Sequence, residues 1–105
     1  MKVQFSLSEK SAPERFLGTR LRAAVLREEL ELLLADQSDI VLDFSGVEAT
    51  QSFIDDLLGM LVLERGPEVV ERLVFRSCSD DVKAIINFVL SDRIEQYNSR
   101  RSPAH

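Results

Sequence analysis

Residues 40–66, IVLDFSGVEATQSFIDDLLGMLVLERG, decide the reading of this chain. Ile40 to Val47 carries the apolar density of a central strand, and Ser45-Gly46 punctuates its end. Asp43 sits inside that apolar run, where a carboxylate needs a partner, and hydrogen bonding to the neighbouring loop is the expected one, with a phosphate-site or catalytic role as the alternative. Ser52 then begins a helix through Arg65, which Gly66 closes as a C-cap. In that position the Ser52 hydroxyl is expected to accept from the backbone N–H of Ile54 or Asp55. Asp55 stands where the acid of a capping box would reach back. The same atoms suit a second role, because a helix start with unpaired N–H donors can hold a phosphate. Helix cap and phosphate acceptor are the two readings of Ser52.

Upstream, Val3, Phe5 and Leu7 alternate with polar residues, as in a strand with one buried face. Residues 8–13 are polar and turn-prone, and a long helix is expected over 14–35. On it Leu17, Leu21, Ala24, Val25 and Leu32 lie near one face, and Leu26, Leu30 and Leu33 near another. Glu28 interrupts the first set, so the helix is expected to bend or to touch two neighbours, the core and a second subunit. A homodimer would use the leucines of the second face.

Downstream, 67–72 reads as a connection with a short helical turn, and Leu73 to Phe75 as a strand that reaches Cys78 at most. Ser79 is the expected N-cap of the next helix, with Asp80 and Asp81 favouring its dipole. Val82, Ile85, Ile86, Val89 and Leu90 recur there at three- and four-residue spacing. Ser91-Asp92 offers a break, 93–97 a final strand or helical turn, and 98–105 a flexible tail. The order β-α-β-α-β-α predicts one α/β domain over 1–97, with a mixed, mostly parallel sheet and crossover helices.

With 105 residues, 45% apolar and 30% charged, the chain suits a single folded core. A net charge of −5 argues against a general nucleic-acid binder, which needs a basic face. Arg100 and Arg101 alone do not supply one. Cys78 is the only cysteine, so no intramolecular disulfide forms and a reducing, cytoplasmic setting fits. Its place after Arg76-Ser77 and before a helix start could lower a thiol pKa, but a buried strand-end cysteine is the expected outcome. The amino terminus lacks a signal-peptide apolar core, and no run approaches membrane-spanning length. Enzyme signatures are nearly absent. The one histidine, His105, is the last residue, which leaves no histidine triad or metal site, and neither a P-loop nor a dinucleotide fingerprint occurs. No cofactor is expected. Asp55 and Asp56 point about 100° apart on a helix, so they are read as acids favouring its N-terminus.

Val41-Leu-Asp-Phe-Ser-Gly-Val47, followed by Ser52 and an amphipathic helix, resembles STAS domains, the anti-sigma factor antagonist fold. The block Leu73-Val-Phe-Arg-Ser-Cys-Ser-Asp-Asp-Val-Lys83 is similar to the later STAS strand and helix. With the helix order, the likeness spans Phe16 to Tyr97. The DFSGV…QSF…D-L form, with Gly18-Thr-Arg20 upstream, resembles more closely a bacterial STAS-like group of unassigned function. The resemblance implies a non-enzymatic regulatory module that binds a protein partner, a histidine-kinase-like ATPase, and is switched by phosphorylation of Ser52. The interaction edge it implies holds Glu48, Thr50, Gln51, Ser52, Phe53, Asp55 and Asp56. Gln51 replaces the usual aspartate, Phe53 and Ile54 replace a Ser/Thr-Gly pair, and Asp55-Asp56 would repel a phosphate. These departures weigh against the switch more than against partner binding. The alternative is a STAS-like domain that senses a small ligand or self-assembles.

Overall fold

The computed structural model describes residues 2–10, 16–36 and 38–101. The first half runs β1 (Lys2–Ser6), α1 (Leu7–Lys10), β2 (Phe16–Leu17), α2 (Arg20–Ala35), β3 (Asp39–Asp43) and β4 (Glu48–Ala49). A helical rod over 51–65 follows, made of α3 (Gln51–Ile54), a π-turn (Asp55–Gly59) and α4 (Met60–Arg65). A 3-10 helix (Pro67–Arg72), β5 (Leu73–Arg76) and α5 (Asp80–Arg101) complete it.

The fold is mixed α/β around a parallel sheet of order β1-β3-β5. Its register sets Val3, Ile40 and Leu73 side by side, then Phe5, Leu42 and Phe75. Those rows face inward, and Ile40 and Leu42 are fully buried. The alternate row, Gln4, Val41 and Val74, lies on the other face, where Val74 is exposed. A strand order that follows the chain, joined by right-handed crossovers, puts the connecting helices on one face of a sheet. The packing agrees: the rod lies between α2 and α5 and touches both. Phe53, Ile54, Leu57, Leu58, Leu61 and Val62 make it the most buried helix, inside a core shared with Leu26, Leu30, Val82 and Ile86.

The expected strand over 40–47 is shorter than its apolar run. Asp43 Oδ1 accepts from the Ser45 N–H at 2.9 Å and the Ser45 hydroxyl at 2.6 Å, which turns the chain, and Gly46 completes the turn at φ 67°. The chain then forms β4, which pairs in parallel with β2 as a separate two-stranded ladder. Asp43 therefore does the loop bonding expected of it. At the other end of the chain's first strand, Leu7 starts a helical turn instead of extending β1.

The first long helix starts at Arg20, because β2 occupies Phe16–Leu17 and Thr19 caps the helix by accepting from the Arg22 N–H at 3.1 Å. Glu14, its expected first residue, lies outside the described residues. Its two apolar faces are also exchanged relative to expectation. Ala23, Leu26, Leu30 and Leu34 are buried, while Leu21, Val25 and Leu32 are 78%, 50% and 73% exposed. Turning the second set inward would take the Glu28 carboxylate with it, and an unpaired buried charge costs more than the leucines return.

The carboxyl half also departs from expectation in one respect. At Ser91-Asp92, where a break was expected before a final strand or helical turn over 93–97, α5 instead continues as one helix to Arg101, which makes 93–97 helical. Asp92 accepts from Gln96 one turn on at 3.0 Å, and Ile94 packs on the core. Asn98 to Arg101, placed in the tail by the sequence, are thus helical, and 102–105 lie outside the described residues. The short helical turn over 67–72, the Ser79 cap (Val82 N–H to Ser79 Oγ, 3.1 Å) and the Gly66 C-cap at φ 96° stand as expected.

Candidate functional site

The β2–β4 ladder positions the candidate edge. Phe16 pairs with Glu48 and Leu17 with Ala49, and each strand leads within a few residues into a helix. Thr50 ties the two helix starts together, donating its hydroxyl to the Gly18 carbonyl at 3.3 Å and accepting from the Phe53 N–H at 3.1 Å. It has the extended backbone of an N-cap, φ −84° and ψ 161°. Ser52 is therefore not the cap. The helix begins two residues earlier than its cap assignment required, Thr50 does that work, and Ser52 is the second helical residue. Sequence alone could not choose, since Thr50 and Ser52 are both good cap residues and both are followed by apolar positions.

Of the expected edge, Glu48, Gln51 and Ser52 are exposed and Thr50 is half-buried. Among the described residues the Ser52 hydroxyl has no hydrogen-bond partner. Phe53 is fully buried in the core, so it does not present a surface to any partner and does not crowd the space above Ser52. That corrects the expectation that it forms part of the interaction edge.

Asp55 and Asp56 do not reach back toward the helix start. Arg93, from α5, holds Asp55 with both ends of its guanidinium, Nε to Oδ1 at 2.7 Å and Nη2 to Oδ2 at 2.6 Å. The bidentate bond pushes the Arg93 pKa up further from its ordinary value. Arg27, from α2, lies 3.4 Å from Asp56 Oδ2 and donates to the Asp56 carbonyl. Arg20, largely exposed, reaches Asp56 at 3.6 Å and Asp55 at 3.9 Å. Asp55 is held chiefly from α5 and Asp56 from α2, with Arg20 reaching both, so the pair joins α2 and α5 through the rod. Gly59 makes the approach possible: a Cβ there would stand 2.7 Å from Asp55 Oδ1 and 2.9 Å from Arg93 Cγ.

Arg27, Arg93 and Gly59 escaped the sequence reading. Arg93 is 38 residues from Asp55, and no local pattern announces either the pair or the π-turn that shapes it. Gly18-Thr-Arg20 did carry a signal, and it lies against Thr50.

Asp43 is held below the usual carboxylate range by its bonds to Ser45, so it is a weak base. Burial pushes the Cys78 thiol up, with Lys83 opposing the rise and Asp43 adding to it, so the lowering that its neighbours could have produced does not occur. Among the described residues no group of acidic, histidine or cysteine side chains could hold a metal ion, and no helix is long and apolar enough to cross a membrane.

Comparison with protein families agrees with the fold. Residues 22–83, more than half of the chain, match the family described as a STAS-like domain of unknown function (DUF4325), and the chain belongs to that family. No curated protein and no solved structure matches it.

Proposed function

We propose that this STAS-like domain is a non-enzymatic regulatory module that binds a protein partner through the surface around Ser52. The carrying observation is the division of labour at the start of the rod: Thr50 caps the helix, while Gln51 and Ser52 stand exposed and unused by the fold. Side chains at a helix start that stabilise nothing are free to be read. The partner class is a histidine-kinase-like ATPase, which would transfer a phosphate to Ser52 and lose affinity for the product.

Two departures that weighed against such a switch carry less weight in the folded chain. Phe53 points into the core and leaves the surface open. Asp55 and Asp56 are each paired with arginine, so the repulsion they would exert on a phosphate one turn away is largely neutralised. The open N–H groups at the start of the rod favour a dianion there. Cytoplasmic location belongs with this reading.

Affinity capture with the whole chain from its host, with and without ATP, tests it. Wild type should recover an ATPase-fold kinase and gain one phosphate at Ser52 by intact mass, while Ser52→Glu recovers none. Equal capture by wild type, Ser52→Glu and Gln51→Arg would sink the proposal.

A further inference from the structure

We infer that α2 is a self-association surface, on which two copies of this chain pack through antiparallel α2 helices. The proposal is independent of Ser52 and rests on the outer face of α2. At 100° per residue, Leu21, Val25, Glu28 and Leu32 fall within about 60° of one another, opposite the buried stripe. All four are exposed, and Leu21 and Leu32 are the two most exposed large apolar side chains described. Their spacing, four, three and four residues, is that of a coiled-coil seam. A helix whose second face serves only solvent has no reason to carry that pattern, since exposed leucine seams favour association.

Charge complementarity selects a second copy, and its direction, as the occupant. The amino half of α2 carries Arg20, Arg22 and Arg27, and the carboxyl half Glu28, Glu29 and Glu31. Parallel pairing would set like charges together, whereas antiparallel pairing sets each half against its opposite. Aligning Leu21 of one copy with Leu32 of the other places Val25 opposite Glu28 and closes the seam with two-fold symmetry. In that register Arg22 of each copy flanks Glu29 of the other. Arg22 has no ion pair among the described residues, while Arg20 and Arg27 are occupied by Asp55 and Asp56. Glu29 is already held by Lys10 at 2.6 Å, which orients its carboxylate beside the seam. Glu28, the one charged residue within the seam, limits affinity and keeps the dimer reversible. Sixteen residues of helix span about 24 Å, too little for an obligate interface and enough for a weak dimer.

Sedimentation equilibrium of the full chain across a concentration series tests this, with far-UV circular dichroism confirming that each variant is folded. Wild type should show a monomer–dimer equilibrium that Leu32→Glu abolishes. Glu28→Leu should tighten it by at least about tenfold, by removing a charge from the seam. Arg22→Glu should weaken it by about tenfold, and the exchange Arg22→Glu with Glu29→Arg should restore much of the loss. A wild type that stays monomeric at its highest soluble concentration overturns the proposal. So does a dimer that Leu32→Glu leaves intact, since another face then makes it, or an Arg22→Glu loss that the exchange deepens, since the helices then do not run antiparallel.

Discussion

Ser52 and Asp55 lie one helical turn apart, yet the fold treats them in opposite ways. Asp55 is gripped by Arg93 from α5 and approached by Arg20 from α2, over a glycine that leaves the room required. Ser52 is exposed and bonded to nothing described. The contrast separates anchoring from recognition along a single helix. Anchoring groups are partly buried and paired with distant elements, whereas a surface to be read by a partner is left without internal commitments.

The strongest way to break that contrast is to release Asp55. Arg93→Ala leaves its carboxylate with only the largely exposed Arg20, 3.9 Å away, at a site where about a fifth of the side chain is exposed. Removing one partner of a fully buried pair costs about 3–5 kcal/mol, and partial exposure reduces this to about 2 kcal/mol. Urea unfolding should show that loss with the slope unchanged, and melting should fall by roughly 10 °C. A loss under about 0.5 kcal/mol would mean that Asp55 is no anchor. Arg93→Lys should recover part of the stability, since a lysine keeps the charge but not the two-pronged grip.

Gly59→Ala probes the same anchor from the other side. In an ordinary helix that change gains roughly 1 kcal/mol. Here the new methyl would meet Asp55 Oδ1 at 2.7 Å and Arg93 Cγ at 2.9 Å, so overpacking should win by about 1 kcal/mol. Combined with Arg93→Ala the clash largely disappears, and Gly59→Ala should become neutral or stabilising. Equal effects in the two backgrounds would show that the glycine serves something other than the Asp55–Arg93 approach.

The architecture was legible in the sequence wherever local chemistry and periodicity coincided. The alternation at Val3 and Phe5, the density at Ile40 to Leu42, the Gly66 stop and the Ser79 cap each needed only their neighbours. The errors arose where two local answers were equally good. Leu26 and Leu30 or Leu21 and Leu32 could have faced the core, and Glu28 decided it through the cost of burying its charge. Asp92 could have ended α5, but Gln96 and the packing of Ile94 carried the helix on. Asp55 looked like a capping acid because Arg93 is distant in sequence, and only the folded chain brings them together.

The finest test concerns which of two hydroxyl residues holds the helix start. Thr50 and Ser52 are both suited to capping, and only backbone geometry assigns the work to Thr50. Thr50→Ala removes the acceptor of the Phe53 N–H and the donor to the Gly18 carbonyl, so it should cost about 1 kcal/mol. Ser52→Ala removes a hydroxyl with no described partner and should change stability by less than about 0.5 kcal/mol. Thr50→Ser should fall between wild type and Thr50→Ala, because it retains the capping oxygen. If Ser52→Ala proved the costlier change, the cap would belong to Ser52 after all, and its hydroxyl would no longer be free for a partner to read. The expected order, with Thr50 costly and Ser52 silent in stability, makes Ser52 the site where any effect on partner binding cannot be ascribed to a loosened fold.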